Sequence, residues 1–142
     1  MSNFFAMVGR MRLIDRWALM QNTAKENIAE HSQSVAVNAH ALCLIGNKKC
    51  ALLAVYHDTT EVITGDMPTP VKYFNSDIKD AYKNIETLAG NRLLNLLPEE
   101  FRDDYSPLFN KAQEDAELWA IVKAADRIDA LIKCIHETRM GN

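Results

Sequence analysis

The chain has 142 residues, of which 48% are hydrophobic and 25% charged, the mix of one soluble globular domain with a sizeable core. A formal net charge of −3 argues against a nucleic-acid polymer as partner, which calls for a basic surface. No run approaches the roughly 18 apolar residues of a membrane span, and no basic-then-apolar leader opens the chain, so a cytoplasmic location without membrane contact is expected.

Alternating apolar and polar runs are absent, which predicts an all-α protein, an irregular bundle of about five to six helices. Phe4, Met7, Val8, Met11 and Ile14 form a first amphipathic stripe. Asp15-Arg16-Trp17 follows, then a polar link from Gln21 to Glu26. A second helix is expected from about Asn27 to Ile45, with Ile28, His31, Val35, Ala39 and Leu42 facing inward.

Gly46-Asn47-Lys48-Lys49 leads into the central stretch. Residues 50–56 are apolar all round, the signature of a helix in the middle of a fold. Directly after it come His57, Asp58 and Glu61, and then a turn broken by Gly65, Pro68 and Pro70. Ionisable groups at the end of a buried helix cost several kcal/mol unless paired or bound to a metal. Adjacent helical residues differ by about 100° in direction, so His57 and Asp58 can lean toward one ion, and Glu61 looks into the same space one turn later.

A long helix is expected from about Ser76 to Leu97, striped by Ile78, Ala81, Tyr82, Ile85, Leu88, Ala89 and Leu93. Residues 99–113 read as a short helix and a loop around Pro107. The last helix, about Asp115 to Arg139, is striped by Leu118, Ile121, Val122, Ala125, Ile128, Ile132 and Ile135. Cys43, Cys50 and Cys134 are widely spaced in apolar context and read as buried free thiols. His40 and His136 have no comparably placed carboxylate and read as structural.

Inward ionisable groups therefore occur at His31, at His57-Asp58, and at an Asp on the last helix. Asp126 follows Val122 by four and Asp129 follows Ala125 by four, so periodicity leaves both open. Two imidazoles and two carboxylates without thiolate suit Mn, Fe, Co, Zn or Mg. Each residue alone has a structural explanation: a lone His on an apolar stripe is more often a hydrogen-bonded core residue. The order His, His-Asp, Asp on successive helices is far more specific than any member.

That order, His31, His57-Asp58, Asp126, resembles the HD-domain metal phosphohydrolases. Arg16-Trp17, Glu30-His31-Ser32, the run Tyr56 to Glu61, the run Gly65 to Asn75, and Lys123-Ala124-Ala125-Asp126 together resemble bacterial 5′-deoxynucleotidases of the YfbR type, over nearly the whole chain. The resemblance implies a single HD domain spanning 1–142, with a connection near 46–50 shorter than is usual and a C-terminal extension lacking. It implies hydrolysis of deoxyribonucleoside 5′-monophosphates by a homodimer using one divalent metal ion, Co²⁺ or Mn²⁺. It places the metal on His31, His57, Asp58 and Asp126, choosing Asp126 over Asp129. It also implies Glu61 as the catalytic carboxylate, with substrate contacts from Arg16, Trp17, His31, Asp58, Asp66, Met67, Pro68 and Thr69. Two alternatives carry different expectations. Another HD phosphohydrolase, acting on a triphosphate, cyclic diester or alarmone, would want more Lys and Arg around the site than Arg16 and Lys72. A non-catalytic HD module would have lost a ligand or Glu61.

Overall fold

The computed structural model describes residues 3–43, 49–111 and 113–142, and among these it is all-α. The end of the second expected helix (Leu44 and Ile45) and most of the 46–49 connection lie outside the described residues. The helices are α1 (Asn3–Val8), α2 (Ile28–Leu42), α3 (Lys49–Tyr56), α4 (Glu61–Thr64), α5 (Thr69–Lys72), α6 (Ser76–Leu94), α7 (Glu99–Phe109) and α8 (Ala116–Arg139). The count exceeds five to six because α4 and α5 are single turns of four residues flanking the Gly65 to Pro68 break.

Helix α2 starts where the sequence supplies its own cap. The Asn27 side chain accepts from the Ala29 and Glu30 amides at 3.0 and 3.1 Å, and Glu30 accepts from the Asn27 amide. Such a reciprocal box satisfies donors that a helix N-terminus otherwise leaves open. Helices α2, α3 and α8 pack around Val35, Ala39, Cys50, Leu53, Ala54, Val122 and Ala125, with Leu108 of α7. A second cluster joins Phe4, Met11, Ile28, Val62, Leu93, Leu94 and Leu97. Tyr56, Tyr105 and Phe109 touch both clusters and make them continuous. Gly90 permits α6 and α7 to approach closely: a Cβ there would stand 3.2 Å from Phe109 Cβ.

Several expectations are corrected. The central helix is buried on one side only, with Leu52 and Val55 exposed. On α2, Leu42 is exposed, so the inward stripe ends at Ala39. On α6, Ile85 and Leu88 face solvent, and the buried side is Tyr82, Ala89, Gly90, Leu93 and Leu94. On α8, Ile128, Ile132 and Ile135 are exposed, and burial follows Val122 and Ala125 instead. Pro107 lies inside α7, not in a loop. It sits in the final turn, where little helix remains to be broken, and the helix continues to bury Leu108. All three cysteines are free, but Cys134 is exposed and Cys43 only half-buried. Burial pushes the Cys50 thiol up to about 12, with Cys43 beside it adding to the shift.

Candidate metal centre and substrate loop

His31 sits on the first turns of α2, facing α3 and α8, and is 1% exposed. His57 and Asp58 stand immediately after α3, where i to i+3 hydrogen bonds (Thr59 N to Tyr56 O, 3.0 Å; Glu61 N to Asp58 O, 3.0 Å) turn the chain tightly into α4. That turn throws His57 and Asp58 toward His31. Donor atoms of His31, His57 and Asp58 all lie within 4.8 Å of one another, an arrangement able to hold a metal ion.

The ring tautomers favour this use. His57 Nδ1 donates to the Ala54 carbonyl at 2.7 Å, so its proton is on the far side of the ring from Asp58. His31 Nδ1 lies 2.7 Å from Asp129 Oδ2 and donates to that carboxylate. Both Nε2 atoms are thereby left with their lone pairs pointing into the cluster, and both are buried without a hydrogen-bond partner. His31 Nε2 is 3.5 Å from Asp58 Oδ2 and 3.3 Å from Asp126 Oδ1, and His57 Nε2 is 3.1 Å from Asp58 Oδ2. Buried, unpartnered imidazole nitrogens facing carboxylates fit a divalent cation.

Of the two α8 candidates, Asp126 lies on the Nε2 side of His31 and Asp129 on the Nδ1 side. The second Asp126 oxygen accepts from Lys123 Nζ at 2.8 Å. Burial opposes the Asp126 charge, yet His31 and Lys123 outweigh it and hold the carboxyl below the usual carboxylate range. Burial likewise opposes ionisation of Asp58, and His57, His31 and Arg16 lower it to about 2. Burial works against the His57 charge, but Asp58 more than compensates and its pKa is raised.

Glu61 opens α4 with its carboxyl turned inward and Oε2 buried without a partner. Burial, then the neighbouring Asp58 and Asp66 charges, push it up to about 9, with Arg16 and Lys72 pulling the other way. Beyond it, Gly65 adopts φ 74°, which directs the chain through Asp66-Met67-Pro68 into α5. Met67 and Pro68 are half-buried and Thr69 is exposed at the rim. Lys72 is engaged elsewhere, 2.7 Å from Glu86 Oε1 and over the Tyr82 ring.

Arg16 and Trp17 stand on the 14–27 loop, whose base is closed by an antiparallel bridge between Asp15 and Asn27. Arg16 Nη1 is 3.5 Å from Glu26 Oε1, yet it is buried with no hydrogen-bond partner. Trp17 has φ 63°, a strained conformation for a bulky residue, and its backbone N–H stands near enough to the Asp66 carboxylate to favour its charge. The loop and the Asp66 turn therefore meet beside the cluster. Neither Glu26, 3.6 Å from His31 Nδ1, nor the hydrogen bond to Asp129 was apparent from the sequence. Glu26 read as part of a polar link, and spacing gives Asp129 a face but no partner.

The 5′-deoxynucleotidase YfbR-like family matches residues 3–142. The chain belongs to this family. A 5′-deoxynucleotidase of Vibrio atlanticus is 54% identical over 150 aligned positions, covering 99% of this chain and 77% of the relative. The 5′-deoxynucleotidase YfbR of Salmonella arizonae is 49% identical, covering 99% and 75%. An HD-domain phosphohydrolase from Listeria innocua superposes with a TM-score of 0.81 at 22% identity, over 99% of this chain and 71% of the other. The cyanophage S-2L HD phosphohydrolase DatZ, solved with dA and one catalytic Zn²⁺ ion, superposes at 0.62 with 24% identity, over 90% and 68%. These two likenesses establish the HD-type fold of this YfbR-like chain.

Proposed function

We infer that this chain is a metal-dependent 5′-deoxynucleotidase, hydrolysing deoxyribonucleoside 5′-monophosphates to deoxyribonucleoside and phosphate. Family membership supports the reaction. The observation that carries the chemistry is the convergence of two buried, unpartnered imidazole nitrogens on the Asp58 carboxylate, with Asp126 Oδ1 3.3 Å from His31 Nε2.

His31, His57, Asp58 and Asp126 would hold one divalent ion, Co²⁺ or Mn²⁺ by the family resemblance. Such an ion supplies Lewis acidity toward the phosphoryl group. Arg16 offers the substrate phosphate a guanidinium already desolvated and short of a hydrogen-bond acceptor, in a rigid fork suited to bidentate contact. Glu61 orients the attacking water and accepts its proton as the water oxygen bonds to phosphorus and the bond from phosphorus to the 5′ oxygen breaks, and that proton then passes to the 5′ oxygen. Burial, and then the Asp58 and Asp66 charges, raise its pKa, and a cation bound beside Asp58 would lower it toward a usable base. Trp17, with the Asp66 to Thr69 turn, bounds the sugar, and His31 and Asp58 sit at the phosphate end.

Substrate size follows from the cations. With Lys72 committed to Glu86, Arg16 is the guanidinium near the cluster, which suits one phosphate better than three. The reading includes a single HD domain over 1–142, a homodimer and a cytoplasmic location. Exposed Ile128, Leu131, Ile132 and Ile135 form an apolar strip on α8 that supports dimerisation. Among the described residues no helix is long and apolar enough to cross a membrane.

The test is a phosphate-release screen over deoxy- and ribonucleoside 5′-monophosphates, triphosphates and cyclic diesters, with Co²⁺, Mn²⁺, Zn²⁺ and Mg²⁺ in turn. Preferential turnover of a triphosphate or a diester would overturn the proposed substrate class, and no turnover with any ion would overturn the enzyme.

A further inference from the structure

The tip of the 14–27 loop is gripped by the far end of α8. Glu137 accepts from two consecutive backbone amides, Thr23 N to Oε2 at 2.7 Å and Ala24 N to Oε1 at 3.2 Å. Lys133 donates both to the Ala24 carbonyl and to Glu137. Asn142 adds bonds to the Gln21 carbonyl and to Glu137, each 2.7 Å. The Lys133 and Glu137 side chains are only 13% and 12% exposed, so this is a seated contact and not a loose surface pair.

The grip is transmitted to Trp17. The Trp17 carbonyl accepts from Met20 N at 2.9 Å and from the Asn22 side chain at 3.4 Å, which ties the tip to the strained residue. The Trp17 amide faces the Asp66 carboxylate closely enough to favour its charge. On α8 itself, Asp126, Asp129, Lys133 and Glu137 fall on one stripe, since steps of three and four residues return to the same face. Eleven residues separate Asp126 from Glu137, a rise of about 16 Å. One rigid helix thus carries the metal-side carboxylate at one point and the loop anchor at another.

We propose that Glu137 and Lys133 are positioning residues for substrate selectivity, gripping the loop tip so that Arg16 and Trp17 stand at a fixed distance from the metal cluster. This rests on the assignment of Arg16 and Trp17 to substrate binding. Neither side chain touches the metal residues, so the grip governs how well phosphate and sugar are held and leaves the hydrolytic step and metal retention alone. A strained φ at Trp17 persists only where the surroundings hold it, and Glu137 is one of those holds.

The experiment uses the full chain loaded with Mn²⁺, as wild type, Glu137→Gln and Glu137→Ala. Gln keeps one acceptor oxygen, so its effect is intermediate. Metal content and kcat for dAMP stay within about twofold, because His31, His57, Asp58, Glu61 and Asp126 are placed by α2, α8 and the turn from α3 into α4, and not by the loop tip that Glu137 grips. KM for dAMP rises by about tenfold in the Ala variant, the scale of losing hydrogen bonds to a charged group. The ratio of kcat/KM for dAMP to that for AMP falls in the order wild type, Gln, Ala, and the Thr23 and Ala24 amides lose hydrogen-exchange protection. Freed amides with unchanged KM and ratio overturn the proposal, as does loss of metal or kcat with KM preserved, which marks a merely structural contact. If wild type fails on dAMP but hydrolyses another monoester, the deoxynucleotidase reading falls, while the grip is judged on KM for that substrate together with amide exchange.

Discussion

His31 Nδ1 donates to Asp129 Oδ2 at 2.7 Å, and this bond turns the free Nε2 lone pair of His31 toward Asp58 and Asp126. Asp129 thus aims the His31 imidazole, standing on its opposite side from Asp58 and Asp126. Asp126→Ala should abolish metal retention and activity together. Asp129→Ala should keep a metal site but weaken it by about 10–100-fold, the usual cost of losing the partner that orients a ligating His. Metal titration of both variants checks this. Equal loss in the two would mean that Asp129 is itself a ligand.

Proton release on metal uptake is the second expectation. In the ion-free chain Glu61 is pushed up to about 9 by burial and by the Asp58 and Asp66 charges, so it favours its protonated form at pH 7. A carboxylate beside a bound cation is favoured ionised, so binding expels that proton. Affinity should therefore rise with pH from 6 toward 9. Calorimetry at pH 7 in two buffers of different ionisation enthalpy should show release, and Glu61→Gln should release about one proton fewer. Buffer-independent heats would show that Glu61 carries no proton into the site.

Glu61 also makes a prediction about stability without metal. Its folded pKa lies above the unfolded value of 4.5, so the folded chain binds this proton more tightly and loses stability as pH rises from 4.5 to about 9. Removing the group removes the loss. In a chelator, Glu61→Gln should gain on wild type by about 1 kcal/mol or more per pH unit across that window. The same variant should lose at least about 10²-fold in turnover, the scale of a missing general base. A gap in Tm that does not widen with pH would contradict the burial argument.

The sequence made the helices and the two histidine positions legible because each rests on local chemistry. Asn27 and Glu30 form their cap from neighbouring residues, and His31 falls on the Ile28, Val35 and Ala39 stripe by period alone. The faces of α6 and α8 were less legible. Ile85, Leu88, Ile128 and Ile132 satisfy an inward stripe as well as the buried residues do, and nothing local says that no helix covers them. Pro107 misled for a related reason: it differs from a helix breaker only in that Leu108 and Phe109 stay helical after it. The 21–26 link read as polar spacer. Its role appears only when Glu137, more than a hundred positions later, accepts from Thr23 and Ala24.

The last expectation concerns the sugar. Trp17 is half-buried next to Arg16, whose guanidinium carbon lies 5.8 Å from the ring centroid, so the indole stands one side chain away from the proposed phosphate contact. If its bulk occupies the space a 2′-hydroxyl needs, shrinking it should help AMP more than dAMP. Rejection through an unpaired polar group would not respond to volume in that way. The measurement is kcat/KM for AMP and dAMP in wild type, Trp17→Ala and Trp17→Gly. Both values should fall, because the indole packs against the loop and bounds the sugar, but the AMP to dAMP ratio should rise by roughly tenfold, the scale set by about one small group in a close-fitting pocket. Glycine also relieves the φ of 63°, so a ratio shared by Ala and Gly assigns discrimination to the lost indole. A ratio that changes with Gly alone assigns it to the backbone strain, and a ratio that changes with neither transfers it to the Asp66 to Thr69 turn.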